Sequence, residues 1–428
     1  MLRNIRLPAL ISAALLLATA NPAVAAPSVN DAAALTWSAS VPPIQKGARP
    51  ALARSQDLSA VAPRPMTGAE SPAALAAMAD DLKSECQEHE EDSTRDGWTK
   101  DRFQQCFVGQ RTIHLMPRNG GIPVATIEVE FSLLAFAYDG QRRVDYVFSF
   151  DGFDVKGGEP LPVTTLTVNF GGCGARTACA PASPSRSEFV PVWLGAPNRT
   201  YQFSVTSPDD VGAGAFKIER SFIQMDMTVF TPVPNVLPWQ ESAMASSRAR
   251  FDSAREALGS GKYHGTVFTD FVPTVEFDLR QGSPHRSEAR HIDDALHAPQ
   301  RTFPSFPGKS VPGEAARPLH RLMDQRLADR NHDAAVAVCR DVWGLTYPDG
   351  NLECDEYPFR STHEGAYVST GGGSGRWNGS ARPIDGDENR RGGTHLGNFY
   401  GMNRVLDENA GTDDAGKPSD PFRVRVIN

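Results

Sequence analysis

The chain has 428 residues, which at roughly 150 residues per domain predicts two or three domains. An apolar share of 40 %, together with 37 Gly and 33 Pro, excludes a collagen, a coiled coil and a multi-span membrane protein. The formal net charge of −8, from 43 basic and 51 acidic residues, argues against a protein that coats nucleic acid through bulk positive charge.

Residues 1–26 have the pattern of a secretory signal peptide. Arg3 and Arg6 precede an apolar run, Leu7–Ala20, and Ala23–Ala25 offers the small-x-small pattern that signal peptidase reads. The run is shorter than the roughly 20 residues that a membrane-spanning helix requires. The sequence therefore predicts a secreted, extracellular protein without a membrane partner after signal cleavage. A retained anchor is the alternative.

Six cysteines follow the signal peptide, and an even number in an exported chain predicts disulfides. Neither Cys-x-x-Cys nor His-Glu-x-x-His occurs in the sequence, which argues against a zinc site. Proximity along the chain favours the pairs Cys86–Cys106, Cys173–Cys179 and Cys339–Cys354.

A disordered leader and then a β-rich domain are predicted next. Residues 27–75 are rich in Ala, Pro and Ser and show no steady period, which is typical of disorder. A short helical stretch around Pro72–Cys86 begins the folded part, and the β-rich domain predicted at residues 76–280 continues with alternating apolar and polar residues, as in 127–133 and 144–150. A series of such short segments separated by Gly and Pro favours an antiparallel β-sandwich.

The later part of the β-rich domain and its connection to the third region have a mixed pattern. Ser246–Leu258 is predicted as a helix, and Thr266–Leu279 as a strand. Residues 281–315 are polar and contain several prolines, so they are predicted as an inter-domain linker.

The third region, residues 316–428, is predicted as a small α+β domain. Pro318 suits the first turn of a helix, and apolar residues follow it at helical spacing. Asn331 suits the N-cap of a second helix, which Gly344 would end. Short segments around 352–359 and 394–400 complete the region. The whole chain is therefore assigned to the α+β class, with a β-sandwich-like domain first.

Two motifs carry the chemistry of the third region. The first is Cys354–Phe359 (Cys-Asp-Glu-Tyr-Pro-Phe), followed by Glu364-Gly365, and the second is Glu388–Gly393 (Glu-Asn-Arg-Arg-Gly-Gly). Together, in this order, they resemble the NucA/NucB family of secreted bacterial deoxyribonucleases. The resemblance covers about residues 317–428, and the β-rich domain has no counterpart in compact members of the family.

The acidic residues of these motifs suit phosphodiester hydrolysis, which needs a base for water and a cation at the phosphoryl oxygens. Carboxylate and amide oxygens favour Mg²⁺ or Mn²⁺, and arginines bind phosphate. The resemblance implies a site of the ββα-metal type with Asp355 as the general base. The catalytic candidates are Asp355, Glu356 and Glu388; the metal candidates are Glu388, Asn389 and Glu364; the phosphate candidates are Arg390 and Arg391. His363 is an alternative base, but the motif does not require a histidine there, and both His363 and His395 are interpreted first as ordinary loop histidines.

The sequence thus predicts a secreted metal-dependent endonuclease that cuts DNA with little sequence preference, because no base-reading element is visible. A polysaccharide hydrolase that uses Asp355 and Glu388 as a carboxylate pair is one alternative. A β-sandwich binding protein with a degenerate nuclease tail is the other. The sequence leaves three roles open for the β-rich domain: an inhibitor of its own nuclease, a targeting module or a folding aid. It also leaves open whether the domain binds an inhibitor or a cell-surface partner.

Overall fold

The computed structural model describes residues 72–89, 96–174, 176–196, 200–254 and 263–428. The predicted signal peptide and most of the predicted leader lie outside these ranges. Within the described ranges, no helix combines the length and the apolar character needed to cross a membrane.

The first half of the described chain is a β-sandwich with one helix on its outer face. Helix α1 (Pro72–Glu88) precedes the strands, and a short helix α2 (Val190–Gly195) lies between two of them. The strands are β1 (Trp98–Thr99), β2 (Gln104–Leu115), β3 (Ala125–Ala137), β4 (Arg143–Gly157), β5 (Thr165–Gly171), β6 (Ala178–Ala180), β7 (Ser185–Phe189), β8 (Tyr201–Thr206), β9 (Glu219–Phe230), β10 (Trp239–Ser253) and β11 (His264–Phe268).

These strands form two antiparallel sheets that share one apolar core. The sheet orders are β1-β2-β3-β4-β8-β6 and β11-β10-β9-β5-β7. Alternate residues of β9, such as Ile223, Met225 and Met227, point into the core and pack with residues of β3 and β4 from the facing sheet. The period-two alternation therefore has the predicted origin, a sheet with one buried face.

Part of β3 is buried on both faces, because helix α1 covers the outer side. Leu133 and Ala135 belong to the core between the sheets, whereas Leu134 and Phe136 pack against α1. The Cys86–Cys106 disulfide joins α1 to β2. The Cys173–Cys179 disulfide closes the loop between β5 and β6, and β6 is an edge strand of the first sheet. Together with Cys339–Cys354, all three predicted disulfide pairs are confirmed.

Two predictions in the later β-rich region are wrong. The predicted helix Ser246–Leu258 is strand β10 as far as the structure describes it, because Ala249 and Phe251 lie on one face of the strand in the core and the strand pairs with both β9 and β11. Tertiary pairing thus overrides the helix propensity of Ala. The predicted strand Thr266–Leu279 is two strands, β11 and β12 (Thr274–Asp278), which belong to different sheets.

The C-terminal part is built around a small mixed sheet and a two-stranded ribbon. The small sheet has the order β12-β16-β13, with β12 parallel to β16. The remaining elements are α3 (Arg286–His297), β13 (Leu319–His320), α4 (Gln325–Trp343), β14 (Leu352–Tyr357), β15 (Ser380–Asp385), α5 (Gly386–Met402) and β16 (Pro421–Ile427). The ribbon β14-β15 and the helix α5 that follows it have the order ββα.

The predicted linker 281–315 is not a plain connection, since it contains helix α3. One face of α3 is buried, and it packs with β12 into the core that also holds Tyr357, Phe399 and Phe422. The exposed face is charged, which gives the stretch its polar composition. We infer from this shared core that the C-terminal unit begins near residue 274 instead of residue 316.

The two predicted helices after Pro318 are one helix in the structure. Leu319–His320 is a strand, and α4 begins after Asp324, whose carboxylate accepts from the Leu327 amide at 3.1 Å. Asn331 lies inside the helix and is fully buried. Its side chain instead binds backbone groups of the 360–368 loop, including the Arg360 carbonyl at 2.9 Å. Gly344 ends the helix as predicted.

Candidate active site

The alternation of strand β14 separates the two acidic residues of the first motif. Asp355 points to the face covered by α3, where its Oδ2 lies 2.6 Å from His291 Nδ1. Glu356 points to the opposite face, where its carboxylate lies 3.3 Å from His332 Nδ1 on α4. Neighbouring residues of a strand point in opposite directions, so Asp355 and Glu356 do not meet in one site. The prediction of a joint catalytic role for the pair finds no support in this geometry.

Asp355 ends a buried hydrogen-bonded chain. His291 Nδ1 contacts Asp355 Oδ2, and His291 Nε2 lies 2.6 Å from the hydroxyl of Ser380 on β15. With Asp355 ionised and His291 neutral, Nδ1 donates to the carboxylate and Nε2 accepts from Ser380. Asp355 Oδ1 has no hydrogen-bond partner among the described residues.

The order Asp-His-Ser is that of a serine hydrolase triad, but accessibility argues against that chemistry. Ser380 is 1 % exposed and His291 is 0 % exposed, whereas the Asp355 side chain retains 6 % exposure. A serine nucleophile must touch its substrate, and this hydroxyl is sealed. The chain of hydrogen bonds therefore reaches solvent at Asp355, with one oxygen held and the other free.

A second carboxylate from α3 lies in the same interior. Glu288 is 2 % exposed, and its Oε2 is buried without a hydrogen-bond partner. Burial raises the pKa of the Glu288 carboxyl well above its usual range, and the charges of Asp355 and Glu356 raise it further. Gly392 makes room for this carboxylate, because a Cβ at Gly392 would lie 1.2 Å from Glu288 Oε2.

The second motif forms the first turns of α5, directly after β15. Asp385 caps the helix by accepting from the amides of Asp387 and Glu388, each at 3.0 Å. The Glu388 carboxylate accepts from the Ser287 amide on α3, one residue from Glu288. Asn389 donates to Glu353 at 3.1 Å. The motif thus lies against α3 and the Asp355 face of β14.

This segment matches a known family. Residues 322–410 match the family model of the deoxyribonuclease NucA/NucB. The chain therefore contains a NucA/NucB deoxyribonuclease domain, as the motifs predicted, and this domain supports a nuclease function. None of the curated proteins matches the chain. The matched range includes α4, β14, β15 and α5, and it leaves out α3 and β12.

Both predicted phosphate ligands of the NucA/NucB domain have partners within the protein. Arg390 pairs with Glu353 and with Asp387. Arg391 donates through Nε to the Pro284 carbonyl at 2.7 Å, just before α3. Phosphate binding by either arginine would require exchange of these contacts.

Glu356 and Glu364 lie apart from Asp355. Burial raises the pKa of Glu356, while its hydrogen bond to His332 raises the pKa of that histidine. Glu364 binds His320, with 2.8 Å between Oε1 and Nδ1. No hydrogen bond joins Glu364 to Asp355, Glu388 or Asn389, all of which the structure describes. The prediction of Glu364 as a metal ligand beside Glu388 gains no support.

The two histidines considered as alternatives differ in their hydrogen bonding: both ring nitrogens of His363 are buried without a hydrogen-bond partner among the described residues, whereas His395 has one. His363 is 4 % exposed, and its Nε2 lies 3.5 Å from Asp407 Oδ2. His395 Nε2 lies 2.8 Å from the Glu276 carbonyl, and its ring stacks on His285. Burial lowers the pKa of His285, and the neighbouring His395 lowers it further. Neither alternative histidine contacts the Asp355 network.

Glu288 and His291 are the site residues that sequence reasoning missed. Both lie in the predicted linker, outside the matched family range. Their signal was present in the spacing of the buried residues of α3, which recur as on one face of a helix: Glu288, Ala289, His291, Ile292 and Ala295.

The donors around Asp355 suit a divalent cation in chemical type. Glu288 Oε2 is a buried oxygen without a partner, and hard oxygen donors are what Mg²⁺ and Mn²⁺ prefer. Across the described residues, no three His, Cys, Asp or Glu side chains already converge as a metal site. Metal binding at this position would therefore need side-chain rearrangement, for which the candidates are Glu288, on which the charge of Asp355 acts, and Glu388, which binds the neighbouring Ser287 amide.

Proposed function

We propose that the protein is a secreted, metal-dependent endonuclease that hydrolyses phosphodiester bonds of DNA with little sequence preference. The observation that carries this proposal is the state of Asp355. Inside the matched NucA/NucB range, its Oδ2 is fixed by His291 and its Oδ1 is free to accept a proton. The confirmed disulfides support export, since such bonds persist in oxidising compartments.

Asp355 is proposed as the general base. Its free Oδ1 takes a proton from water as the water oxygen bonds to phosphorus and the bond from phosphorus to the leaving oxygen breaks. His291 holds the carboxylate in one orientation, the carboxylate in turn favours the tautomer with the proton on Nδ1, and the Ser380 hydroxyl anchors the ring at Nε2. A positioned base of this kind contributes about 10²–10⁴ in rate.

Glu288 and Glu388 are the residues proposed to hold a divalent cation, with Asn389 available from the same turn of α5 as Glu388. The bound cation would supply neutralisation of the charge that develops on phosphate and on the leaving oxygen. Arg390 and Arg391 are proposed to exchange their present partners for DNA phosphates, which arginine binds through paired donors.

Nicking of supercoiled plasmid DNA by the full-length protein tests this proposal. We expect cutting with Mg²⁺ or Mn²⁺, none with EDTA, and a rate loss of about 10²–10⁴ in Asp355→Asn. Asp341→Asn, an exposed position on α4, is the matched control and should behave as the parent.

Three outcomes would contradict parts of the proposal. Undiminished cutting in excess EDTA would exclude the metal. A dead Ser380→Ala variant beside an active Asp355→Asn variant would favour a serine nucleophile over Asp355. DNA binding without cutting in every metal would favour the binding protein with a degenerate nuclease tail.

A further inference from the structure

The connection between α5 and β16, residues 403–420, reaches into the β-sandwich. Arg404 is 0 % exposed and donates through Nη1 to Asp139 at 2.6 Å and through Nε to Asp252 at 3.2 Å. Both carboxylates belong to the β-rich half. Gly265 on β11 leaves the slot for this side chain, because a Cβ there would lie 2.0 Å from Arg404 Nε.

Arginines of the β-rich half also form ion pairs with carboxylates of the connection. Arg250 on β10 is also 0 % exposed, and its Nη1 donates to Glu408 at 2.7 Å and to Asp420 at 2.6 Å. Arg102 donates to Asp420 at 2.6 Å. We call this set the arginine clamp; its members are Arg102, Arg250 and Arg404 with Asp139, Asp252, Glu408 and Asp420.

The arginine clamp is largely buried, with Arg250, Arg404 and Asp252 fully so, and this burial holds the connection in place. Removing one member of a buried ion pair leaves a charge without its partner in the interior, which strongly destabilises the arrangement. Apolar packing of Leu406 against Ile218 and Ala254 lies beside the clamp. A backbone hydrogen bond of 2.8 Å from Ala215 to the Ala410 carbonyl adds to it. The two halves therefore cannot swing apart at this connection without breaking buried contacts.

The clamped connection also touches the nuclease domain on two sides. Arg404 follows the end of α5, the helix whose first turns carry Glu388. Asp407 lies 3.5 Å from His363, in the loop that follows β14. The Val405 carbonyl accepts from Arg321 at 2.7 Å, close to β13. A shift of the connection would therefore move α5 relative to the strand that carries Asp355.

We propose that the β-rich domain acts as a positioning element of the nuclease: through the arginine clamp it fixes the connection 403–420 and hence the placement of α5 against β14. Arg404 is a positioning residue in this scheme and touches no substrate. The proposed effect of the clamp on the cleavage rate rests on the proposed nuclease function. The rigid coupling of the two halves does not depend on that function.

Kinetics of the full-length protein test the effect on rate. In Arg404→Met we expect kcat for DNA cleavage to fall by about 10²-fold with little change in KM, because misplaced groups lose rate without losing substrate contacts. Arg404→Lys, which keeps the charge, should recover part of kcat. The matched control is Arg220→Met, which removes an exposed partner of Glu408 at the rim of the clamp. An unchanged kcat in a folded Arg404→Met would overturn the proposal.

Native-state hydrogen exchange on the unmodified protein tests the coupling without any variant. The amides of α5 and of residues 403–420 should open in the same cooperative step as those of β9 and β10. Separate opening of the C-terminal half at lower free energy would overturn the proposal even if Arg404→Met fails to fold. A protein that shows the common opening but cuts no DNA would instead contradict the proposed function alone.

Discussion

Asp355 lies where a buried hydrogen-bonded chain reaches the solvent. His291 and Ser380, both buried, hold the carboxylate through Oδ2, and Oδ1 makes no hydrogen bond with the described residues. His363, the alternative base, has a carboxylate neighbour in Asp407 and lies in the loop after β14. The two assignments therefore predict different behaviour on substitution.

Three substitutions distinguish the residue that acts as the base from the residue that binds the metal: Asp355→Asn, His363→Ala and Glu388→Gln. Asp355→Asn should lose rate at every metal concentration, because it cannot accept a proton, whereas Glu388→Gln should be partly rescued by high Mn²⁺. His363→Ala should retain most of the rate. Cleavage rates titrated with metal for each variant measure this. Inactive His363→Ala at saturating metal, beside a rescued Asp355→Asn, would transfer the role of base to His363.

Lys309 gives a separate pH-dependent signature in stability. It is 3 % exposed, and burial lowers its pKa to about 8, although it donates to the Thr302 hydroxyl at 2.7 Å. The pKa of a lysine in an unfolded chain is about 10.4. Between pH 8 and this value, the unfolded state therefore binds more protons at Lys309 than the folded state does. The free energy of unfolding contributed by Lys309 therefore rises with pH across this window.

Lys309→Met should remove that rise. We expect the difference in unfolding free energy between parent and Lys309→Met to shift in favour of the parent as pH increases from 8 to above 10. Urea unfolding at a series of pH values measures this difference. The contributions of the other titrating groups cancel because both proteins contain them. Parallel curves for the two proteins would show that the burial of Lys309 carries no such penalty.

At the scale of elements, helix α3 and strand β12 complete the nuclease domain from outside the matched family range. Strand β12 pairs along its whole length with β16, and α3 supplies His291 and Glu288. A boundary at residue 316, as expected from the sequence, would cut through this arrangement. The first strand of the C-terminal unit, β12, and its last strand, β16, are therefore neighbours in one sheet.

A fragment of residues 316–428 should therefore fail to fold. It lacks Val275, Phe277 and Ile292, and burial of each such side chain contributes about 1.5–3 kcal/mol. This loss is a large part of the roughly 5–15 kcal/mol that stabilises a typical domain. A fragment of residues 270–428 keeps these groups and is the control. Near-UV circular dichroism compares the two, and a native signal from 316–428 would contradict the role given to α3 and β12.

The sequence predicts some of these elements well and others poorly, for identifiable reasons. The two motifs stand out because their residue types lie close together along the chain. His291 contacts Asp355 across 64 residues, and that distance hides the pair from any local pattern. The sequence predicts a helix where strand β10 lies because its alanines favour a helix locally, and only the hydrogen-bonded pairing with β9 and β11 makes it a strand. The opposite directions of Asp355 and Glu356 follow from strand alternation once β14 is assigned.

At the scale of the whole molecule, the described residues, helix α1 included, belong to one compact unit that holds the β-rich domain and the nuclease domain. Three disulfides lie within its parts, at α1–β2, at a sheet edge and between α4 and β14. None of them joins the two halves, so the connection depends on the arginine clamp and the apolar contacts beside it.

The crossed arrangement of arginines also bears on how such a protein can evolve. Each half contains acidic pockets shaped for an arginine of the other half, with Arg404 in one direction and Arg250 in the other. A recombination event that joined this NucA/NucB domain to a different partner would leave these carboxylates and guanidinium groups buried without counter-charges, or exposed in an unfilled cleft. The two halves are therefore expected to be inherited together and to vary in concert.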